Sequence, residues 1–422
     1  MCLSASLVGV IVFLKKQSLL GESLSHAAYP GVIFGIILAG LLQLANDELN
    51  IALLIMFGAF ISANLGLFTI HYLEKKLKVP SDAALCFVLS AFFGIGLSFV
   101  GQVQHSYSLL YAQAQVYLYG QAATMTDTHI AIYGTLSLVM IGFIALFYKE
   151  IKTISFDRQY AASLGINTKF VDTCIVLLIV LAVIIGIRSV GVVLMSAMFI
   201  APAVAARQYT NRLSRVFVLS GFFGLLSGFL GNYFSVELPE ATVGYLFTNP
   251  FILPTGPMIV IVASLFCVIS LLIAPERGLL LRLARVAHFR YRCIYENLLK
   301  AIWRLGSDRD VSFEEIAKYH QISTWYLTII LRRLIHYGWL ERSSIGYRLT
   351  SDGAALAARI VRLHRLWEVY LASYLGVGAE RVHRSAEEME HIITPDLEKQ
   401  LISLLNDPKY DPHRQPIPPR EI

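Results

Sequence analysis

Long apolar stretches follow one another through about the first two thirds of the chain. A transmembrane helix needs about 20 apolar residues to cross about 30 Å of hydrocarbon. Nine stretches meet or approach this length, near residues 1–14, 26–45, 50–71, 83–101, 129–148, 170–187, 190–206, 215–234 and 256–274. The pattern predicts an all-α polytopic membrane domain over residues 1–275, with about eight or nine transmembrane helices.

Two of these stretches are unusual. The first is short, so either it tilts into an interface or the true start of the protein lies upstream of Met1. Those at 170–187 and 190–206 are separated only by Arg188 and Ser189, which is consistent with a hairpin buried among other helices.

Basic residues are confined to alternate connections between the stretches. The connections near 46–49, 102–128 and 235–255 contain no Lys or Arg, and Arg188 is the one exception. Since cytoplasmic loops are enriched in Lys and Arg, we expect a multi-pass protein of the cell inner membrane, with its basic loops and C-terminal part in the cytoplasm. A large soluble helical protein would not show this alternation. The basic connections carry Lys15 and Lys16; Lys75, Lys76 and Lys78; Lys149, Lys152, Arg158 and Lys169; Arg207, Arg212 and Arg215; and Arg277, Arg282 and Arg285.

The pattern becomes that of a soluble protein after residue 275. Residues 276–294 form a basic juxtamembrane linker, in which arginines among apolar residues suit a surface attracted to anionic headgroups. Residues 295–352 predict a winged helix-turn-helix, with three helices and then an alternating segment that turns at Gly346 like a two-stranded wing. Ser312 and Glu315 have the spacing of a capping box at the second helix. Residues 353–422 predict a helical dimerisation and metal-sensing domain.

The third helix of this segment carries candidate DNA-binding residues. Polar side chains in its first turns can reach base edges, and arginines further along can meet phosphates. A winged helix used only for protein contacts is the alternative. The predicted DNA-binding residues are Ser323, Thr324, Tyr326, Thr328 and Arg332.

Composition supports the division and limits the chemistry. The chain of 422 residues is 56% hydrophobic and only 15% charged, whereas soluble proteins have about 25% charged residues. None of its five cysteines pairs with another at CxxC spacing, which excludes a zinc ribbon. No GxxxxGK[ST] phosphate loop occurs, so the chain itself is not expected to be an enzyme that hydrolyses ATP.

Glu22 and His26 form a candidate transport-path pair. They are four residues apart, so they share one helix face. A carboxylate and an imidazole suit a divalent cation such as Mn, Fe or Zn, and ionisable groups within a membrane span are usually functional. The alternative is that both residues cap the helix at the cytoplasmic surface.

Two further segments of the membrane half stand out. In the basic loop 149–169, the residues from Phe156 to Ile166 predict a short amphipathic helix ended by Gly165. Such a helix can dock onto a cytoplasmic motor, and an ordinary surface helix is the alternative. The segment from Val190 to Arg207 is rich in Gly, Ser and Ala and contains Pro202, which favours close helix packing and a kinked or broken helix.

Histidines and glutamates form two stripes in the last domain. His364 and Glu368 lie four residues apart on one predicted helix, and the next helix carries four more potential ligands on one face. Imidazoles and carboxylates without cysteine favour Mn(II) or Fe(II) over a structural zinc held by thiolates. Two solvated faces of His/Glu pairs are the alternative. The predicted metal ligands are His364, Glu368, His383, Glu387, Glu390 and His391.

The membrane half resembles the permease subunits of ATP-binding-cassette importers for manganese, zinc and iron. The matching segments are GESLSHAAYPG (21–31), FDRQYAASLGI (156–166) and VGVVLMSAMFIAPAVAAR (190–207). The resemblance implies that Glu22 and His26 line the metal path, although the family usually has Asp where this chain has Glu22. It also implies that Phe156, Asp157, Arg158 and Gly165 belong to a coupling helix seated on a separate ATPase.

The C-terminal part resembles the diphtheria-toxin-repressor family of metal-dependent regulators. The segments 349–371, 382–391 and 412–421 carry the resemblance. It implies that Glu387, Glu390 and His391 belong to one metal site and His364, Glu368 and His383 to another. A ligand expected from the first helix falls near Glu296 or Asn297. At the position of Glu387, iron-responsive members carry Cys and manganese-responsive members carry Glu. The dimer helices imply that two copies bind DNA together.

The two halves together predict the membrane subunit of an ATP-driven importer of Mn, Fe or Zn, with a C-terminal metal-dependent DNA-binding repressor domain. The joined halves resemble chlamydial fusions of a metal permease with such a regulator. The expected partners are an ATPase subunit, a periplasmic metal-binding protein, a second permease subunit, operator DNA and a second copy of the regulator. Because a tethered repressor searches DNA poorly, we hypothesise that proteolysis within about 276–295 releases it.

Two alternatives remain open. One is a membrane-anchored metal-responsive transcription regulator without transport activity, which predicts no partner ATPase. The other is a permease whose C-terminal domain only gates transport. The sequence fixes neither the metal nor the operator.

Overall fold

The computed structural model describes residues 1–42, 47–106, 108–242, 253–306, 309–320, 323–376 and 379–419. The chain forms two compact units, Met1–Leu281 and Arg282–Ile422, called here the membrane unit and the C-terminal unit. The predicted turn at Gln321 and Ile322, residues 243–252 of the connection 235–255 and the last residues of the tail lie outside the described residues.

The membrane unit is helical throughout the part that the structure describes. A short 3₁₀ helix, Ala122–Thr124, follows the fifth α-helix. The helices are α1 (Cys2–Leu14), α2 (Ser18–Leu41), α3 (Glu48–Lys75), α4 (Ser81–Ser106), α5 (Ser108–Tyr119), α6 (Asp127–Leu146), α7 (Tyr148–Phe156), α8 (Arg158–Ser163), α9 (Thr168–Val190), α10 (Met195–Tyr209), α11 (Leu213–Thr242) and α12 (Thr255–Ile273).

Seven of the described helices are long and apolar enough to cross a membrane: α2, α3, α4, α6, α9, α11 and α12. The two other predicted spans correspond to α1, with 13 residues, and α10, with 15 residues. The two short helices pack against each other and among the long ones: α1 contacts α11, and α10 contacts α11 and α12. The predicted polytopic membrane domain is confirmed.

Two boundaries differ from the prediction. Helix α2 begins at Ser18 rather than near residue 26, because its polar side chains lower the hydropathy of a segment that is nonetheless inside the protein. Helix α9 continues through Arg188 and Ser189, and the chain turns at Gly191, whose φ of +96° suits glycine. The exception to the charge pattern is therefore buried in a helix, where the Arg188 guanidinium donates to Gln113 Oε1 at 3.1 Å.

Small residues allow the membrane helices to approach closely. A Cβ atom at Gly31 of α2 would lie 2.0 Å from the carbonyl oxygen of Gly58 on α3. Ser62 Oγ, also on α3, donates to Ala27 O at 2.6 Å. Lipid supplies no hydrophobic driving force between helices, so the close packing that small residues allow and the hydrogen bonds between helices hold them together.

The C-terminal unit contains a winged helix followed by a helical segment, as predicted. The N–H of Ser312 donates to Glu315 Oε2 at 2.9 Å and the N–H of Glu315 donates to Ser312 Oγ at 3.3 Å, which realises the predicted capping box. The strands pair antiparallel with Leu340 opposite Leu349. The elements are α13 (Leu279–Leu305), α14 (Phe313–His320), α15 (Thr324–His336), β1 (Leu340–Arg342), β2 (Tyr347–Leu349), α16 (Ser351–Leu375), α17 (Ala379–Met389) and α18 (Pro395–Leu404).

Most of the basic linker predicted at 276–294 is helical, since α13 begins at Leu279 and ends at Leu305. Its first turns are exposed and carry Arg282 and Arg290 together with the apolar Leu283 and Phe289. Further along, α13 supplies Leu299 and Ile302 to the core of the winged helix.

Candidate metal centre

Three predicted ligands meet between α16 and α17. His364 Nε2 lies 2.9 Å from His383 Nδ1 and 3.2 Å from Glu368 Oε1, and His383 Nδ1 lies 2.9 Å from the same oxygen. One ligand atom from each residue lies within 4.8 Å of the others. Two imidazoles and one carboxylate are a donor set suited to Mn(II), Fe(II) or Zn(II).

The local sequence holds this group in place. Thr350 begins α16 by accepting a hydrogen bond from the N–H of Gly353 at 3.1 Å, and Gly376 ends the helix in a left-handed conformation. His364 and Glu368 are buried one turn apart on the inner face of α16, whereas the side chain of His383 is 47% exposed. A cavity of about 450 Å³ opens beside the three ligands, and its wall also includes Arg304, Arg365, Asp411, His413 and Gln415.

A second cluster adjoins the first through His364. Its Nδ1 atom lies 2.5 Å from Glu390 Oε2, while Glu390 Oε1 accepts a hydrogen bond from the buried ammonium of Lys300 on α13. His391 Nδ1 lies 2.6 Å from Glu296 Oε2, also on α13. This second cluster therefore consists of Glu296, Lys300, Glu390 and His391.

Hydrogen bonds set the charge of the first cluster. Burial works to raise the pKa of Glu368, but hydrogen bonds from His364 and His383 outweigh it and lower the pKa to about 2. Burial works to lower the pKa of His364, but its hydrogen bonds to Glu368 and Glu390 outweigh burial and raise the pKa above 6.5. Burial also works to raise the pKa of Glu390, but the hydrogen bonds and charges of His364 and Lys300 outweigh it and lower the pKa. The carboxylates are thus ionised and ready to bind a cation.

The predicted ligand Glu387 lies apart from Glu390 and His391. Its side chain is 51% exposed, and Oε1 lies 3.5 Å from His383 Nε2. The structure therefore places Glu387 at the edge of the first cluster, whereas the sequence assigned it to the other site.

Four of the candidate DNA-binding residues lie at the start of α15, and Arg332 lies two turns further along. Ser323, Thr324 and Arg332 are exposed, and Thr328 Oγ1 donates back to Thr324 O at 2.8 Å. Tyr326 packs partly against the core of the winged helix. Trp325, which sequence reasoning did not single out, is 74% exposed on the same turn.

The candidate transport-path residues lie inside α2. His26 is buried, its Nδ1 atom has no hydrogen-bond partner among the described residues, and its ring meets Phe93 edge-on at 4.5 Å. Glu22 is half-buried one turn earlier on the same face. Ser25 Oγ donates to Val192 O at 3.0 Å, so the first and third sequence motifs meet at this point.

The predicted coupling segment forms α8 and its flanking turns. Asp157 Oδ1 accepts from the N–H of Tyr160 at 2.9 Å and so begins the helix, and Gly165 follows its end with a φ of +79°. Arg158 and Lys15 each lie 2.9 Å from Asp172 at the start of α9. Phe156, Tyr160 and Leu164 expose 56–69% of their surface, which leaves an apolar stripe beside these charges.

The comparisons with known proteins decide the family. The sequence profile of the ABC 3 transport family matches residues 1–274. The chain belongs to the ABC 3 transport family. The profile of the iron dependent repressor, metal binding and dimerisation domain matches residues 350–419 of this ABC 3 family member. The predicted joining of a transport permease to a metal-dependent regulator is confirmed.

Individual relatives resemble this ABC 3 family member over most of its length. A probable metal transport system membrane protein of Chlamydia trachomatis is 38% identical over 99% of this chain and 94% of the relative. The manganese transport system membrane protein MntC of Bacillus subtilis is 31% identical over 87% of this chain and 81% of the relative. The solved structure of PsaBC from Streptococcus pneumoniae in complex with Fab is 28% identical, with a TM-score of 0.53, over 65% of this chain and 88% of that one.

Two residues of the second cluster escaped full prediction from sequence. Glu296 was one of two candidates on the first helix, and the structure brings it against His391. Lys300 was not identified, although a signal existed: it is a lysine among the buried residues Leu298, Leu299, Ala301 and Ile302. A charge on the buried side of a helix indicates a buried partner.

Proposed function

We propose that this ABC 3 family member is the membrane subunit of an ATP-driven importer of a divalent metal, and that its C-terminal unit is a repressor that binds operator DNA when loaded with metal. The observation that carries the proposal is the meeting of His364, Glu368 and His383 at mutual distances near 3 Å. Manganese or iron suits these ligands best, and zinc is the third candidate.

The membrane unit supports transport through the buried pair on α2. A histidine with an unpartnered Nδ1 inside a helix bundle is costly unless it serves a ligand. Glu22 on the same face supplies the negative charge that a dication needs. We assign the transport path to Glu22 and His26.

A separate ATPase is the proposed partner of α8. The exposed apolar residues Phe156, Tyr160 and Leu164 form a surface of the kind that a partner covers, and Asp157 and Gly165 fix the ends of the helix that presents it. A second permease subunit and a periplasmic metal-binding protein complete the proposed importer. Its location would be the inner membrane, with α8 and the C-terminal unit in the cytoplasm.

The regulator is proposed to act as a dimer on DNA through α15. Ser323, Thr324 and Arg332 are exposed for contact, and Trp325 adds an aromatic surface at the same end. Release of the unit by proteolysis within about 276–295 would free it from the membrane. Because this segment is largely helical, cleavage requires local unwinding, and a blot that finds only full-length, membrane-bound chain in metal-replete cells would contradict release.

Transport is tested by reconstituting the chain with its ATPase in vesicles and measuring ATP-dependent Mn(II) uptake. The chain with Glu22→Gln and His26→Ala should take up no more metal than empty vesicles. If the wild-type chain forms no complex with an ATPase, the anchored regulator without transport becomes the better account. Metal-dependent DNA binding, measured on the same preparation, separates a repressor from a domain that only gates transport.

A further inference from the structure

The second cluster already contains a cation. Lys300 is 4% exposed and lies on α13 beside Leu299 and Ala301, which are fully buried. A buried ammonium is costly unless it is paired and hydrogen-bonded. Its partner is Glu390, whose Oε1 accepts the hydrogen bond from Lys300 Nζ. The pair thus holds one positive and one negative charge out of contact with solvent.

Both oxygens of Glu390 are engaged. Oε1 is bonded to Lys300, and Oε2 lies 2.5 Å from His364 Nδ1. A metal ion at Glu390 would have to displace the ammonium or lie against it, and two like charges in a buried site repel each other strongly.

One donor of the second cluster, His391 Nε2, makes no hydrogen bond among the described residues, but it lies 3.5 Å from Glu390 Oε1, the oxygen that Lys300 holds, and the other donors are occupied or distant. His391 Nδ1 lies 2.6 Å from Glu296 Oε2, and Arg292 Nε lies 2.7 Å from the other oxygen of Glu296. Glu387, which the sequence placed in this site, is half-exposed and faces His383. The donor set of the second site therefore does not fit a second dication, whereas that of the first cluster fits one.

We propose that the ammonium of Lys300 takes the place of a second metal ion, so that the C-terminal unit of each chain binds one ion, at His364, Glu368 and His383. This inference rests on the proposed metal-sensing function and specifies its stoichiometry. Glu390 is then a positioning residue: held by Lys300, it fixes the Nδ1 side of His364 and leaves Nε2 facing the ion. Carboxylates that orient a metal-bound histidine in this way are a common feature of metal sites.

The ion count tests the proposal directly. The full chain is purified in detergent with Glu22→Ala and His26→Ala, so that the proposed transport path does not contribute, and Mn(II) bound per chain is measured by equilibrium dialysis. One ion per chain is expected. Two ions per chain would overturn the inference, and no bound ion would overturn the metal-sensing function on which it rests.

Variants in the same background identify the ion. Adding His364→Ala with His383→Ala should remove the single ion. Adding Glu390→Gln should keep the count at one while weakening affinity by about ten- to a hundredfold, as loss of an orienting partner does. If Glu390 were instead a ligand of a second ion, the count would fall from two to one.

Lys300→Glu gives the converse test, because it replaces the ammonium by a carboxylate beside Glu390, Glu296 and His391. A second ion per chain is expected, and an unchanged count in a folded variant would overturn the claim that Lys300 excludes it. The exposed Lys318→Glu is the matched control and should bind one ion. Circular dichroism verifies folding, and if Lys300→Glu does not fold, the wild-type count still decides.

Discussion

The Nδ1 atom of His364 lies 2.5 Å from Oε2 of Glu390, while the Nε2 atom of the same ring lies 3.2 Å from Oε1 of Glu368. One imidazole therefore joins the two clusters of the C-terminal unit. Its Nε2 atom faces the first cluster and its Nδ1 atom is held by the second. Under the proposed function, His364 is the residue on which we expect metal binding to depend most.

His364→Ala should abolish Mn(II) binding by the C-terminal unit, because it removes both a ligand and the link to Glu390. Glu387→Ala should weaken binding only slightly, since Glu387 is half-exposed and its Oε1 lies 3.5 Å from Nε2 of the half-exposed His383. Calorimetric titration of the purified chain compares the two. Equal losses in both variants would show that Glu387 is a full ligand.

Metal affinity should rise with pH through the histidine range. The carboxylate partners of His364 raise its pKa above 6.5. The protonated ring therefore stabilises the metal-free protein fully below pH 6.5, and this stability is lost as the pH rises through the raised pKa. A metal ion must displace that proton, so affinity should increase up to about tenfold per pH unit below the raised pKa. Glu368, with a pKa of about 2, stays ionised and adds no slope.

Calorimetric titration in buffers of different ionisation enthalpy measures how many protons are released when the metal binds. About one proton should leave His364 for each ion bound in mildly acidic buffer. An affinity that stays constant between about pH 6 and pH 8 would contradict the assignment of His364 as a ligand.

Asp157→Ala should weaken association with the ATPase. The Asp157 carboxylate begins α8 by accepting from the N–H of Tyr160, and loss of such a cap costs about 1 kcal/mol of helix stability. Co-purification of the two subunits should fall, and Asp157→Asn should restore it because Asn also caps helices. Lys169→Ala, an exposed position in the first turn of α9 and outside α8, serves as the control.

His26→Ala should eliminate Mn(II) uptake without unfolding the membrane unit. The ring is buried with an unpartnered Nδ1 atom, so its removal costs packing against Phe93 but no hydrogen bond made by that atom. His71→Ala is a matched control, because His71 lies on the exposed face of α3 and bonds to Leu67 O within its own helix. Uptake into vesicles by the His71 variant should equal that of the wild type.

Sequence periodicity was sufficient for most of the fold, because a span of apolar residues in lipid has no alternative to a helix. It failed where polar residues lie inside the bundle. Ser23 Oγ donates to Leu85 O at 3.1 Å and Ser25 Oγ to Val192 O at 3.0 Å, and hydropathy cannot register such pairing, so the start of α2 was placed too late. The turn at Gly191 was likewise hidden by the more conspicuous charge of Arg188.

The meeting of His364, Glu368 and His383 could be predicted because the first two share a helix face and His383 follows on the next helix. For the second cluster Glu390 and His391 were identified and Glu296 was one of two candidates, but the ion pairs and Lys300 could not be predicted, because they depend on contacts between distant segments. Lys300 and Glu390 are 90 residues apart, and Glu296 and His391 are 95 residues apart. The spacing of residues along one helix cannot indicate that Lys300 of α13 pairs with the carboxylate of Glu390.

The most direct test of the whole account is metal-dependent DNA binding by the full chain. In footprinting of the DNA upstream of its own gene, the wild-type chain should protect a two-fold symmetric site in Mn(II) and none after chelation, and the His364→Ala chain should protect none in either condition. Protection that is equal with and without metal, or that survives the loss of His364, would contradict the claim that this cluster controls the regulator.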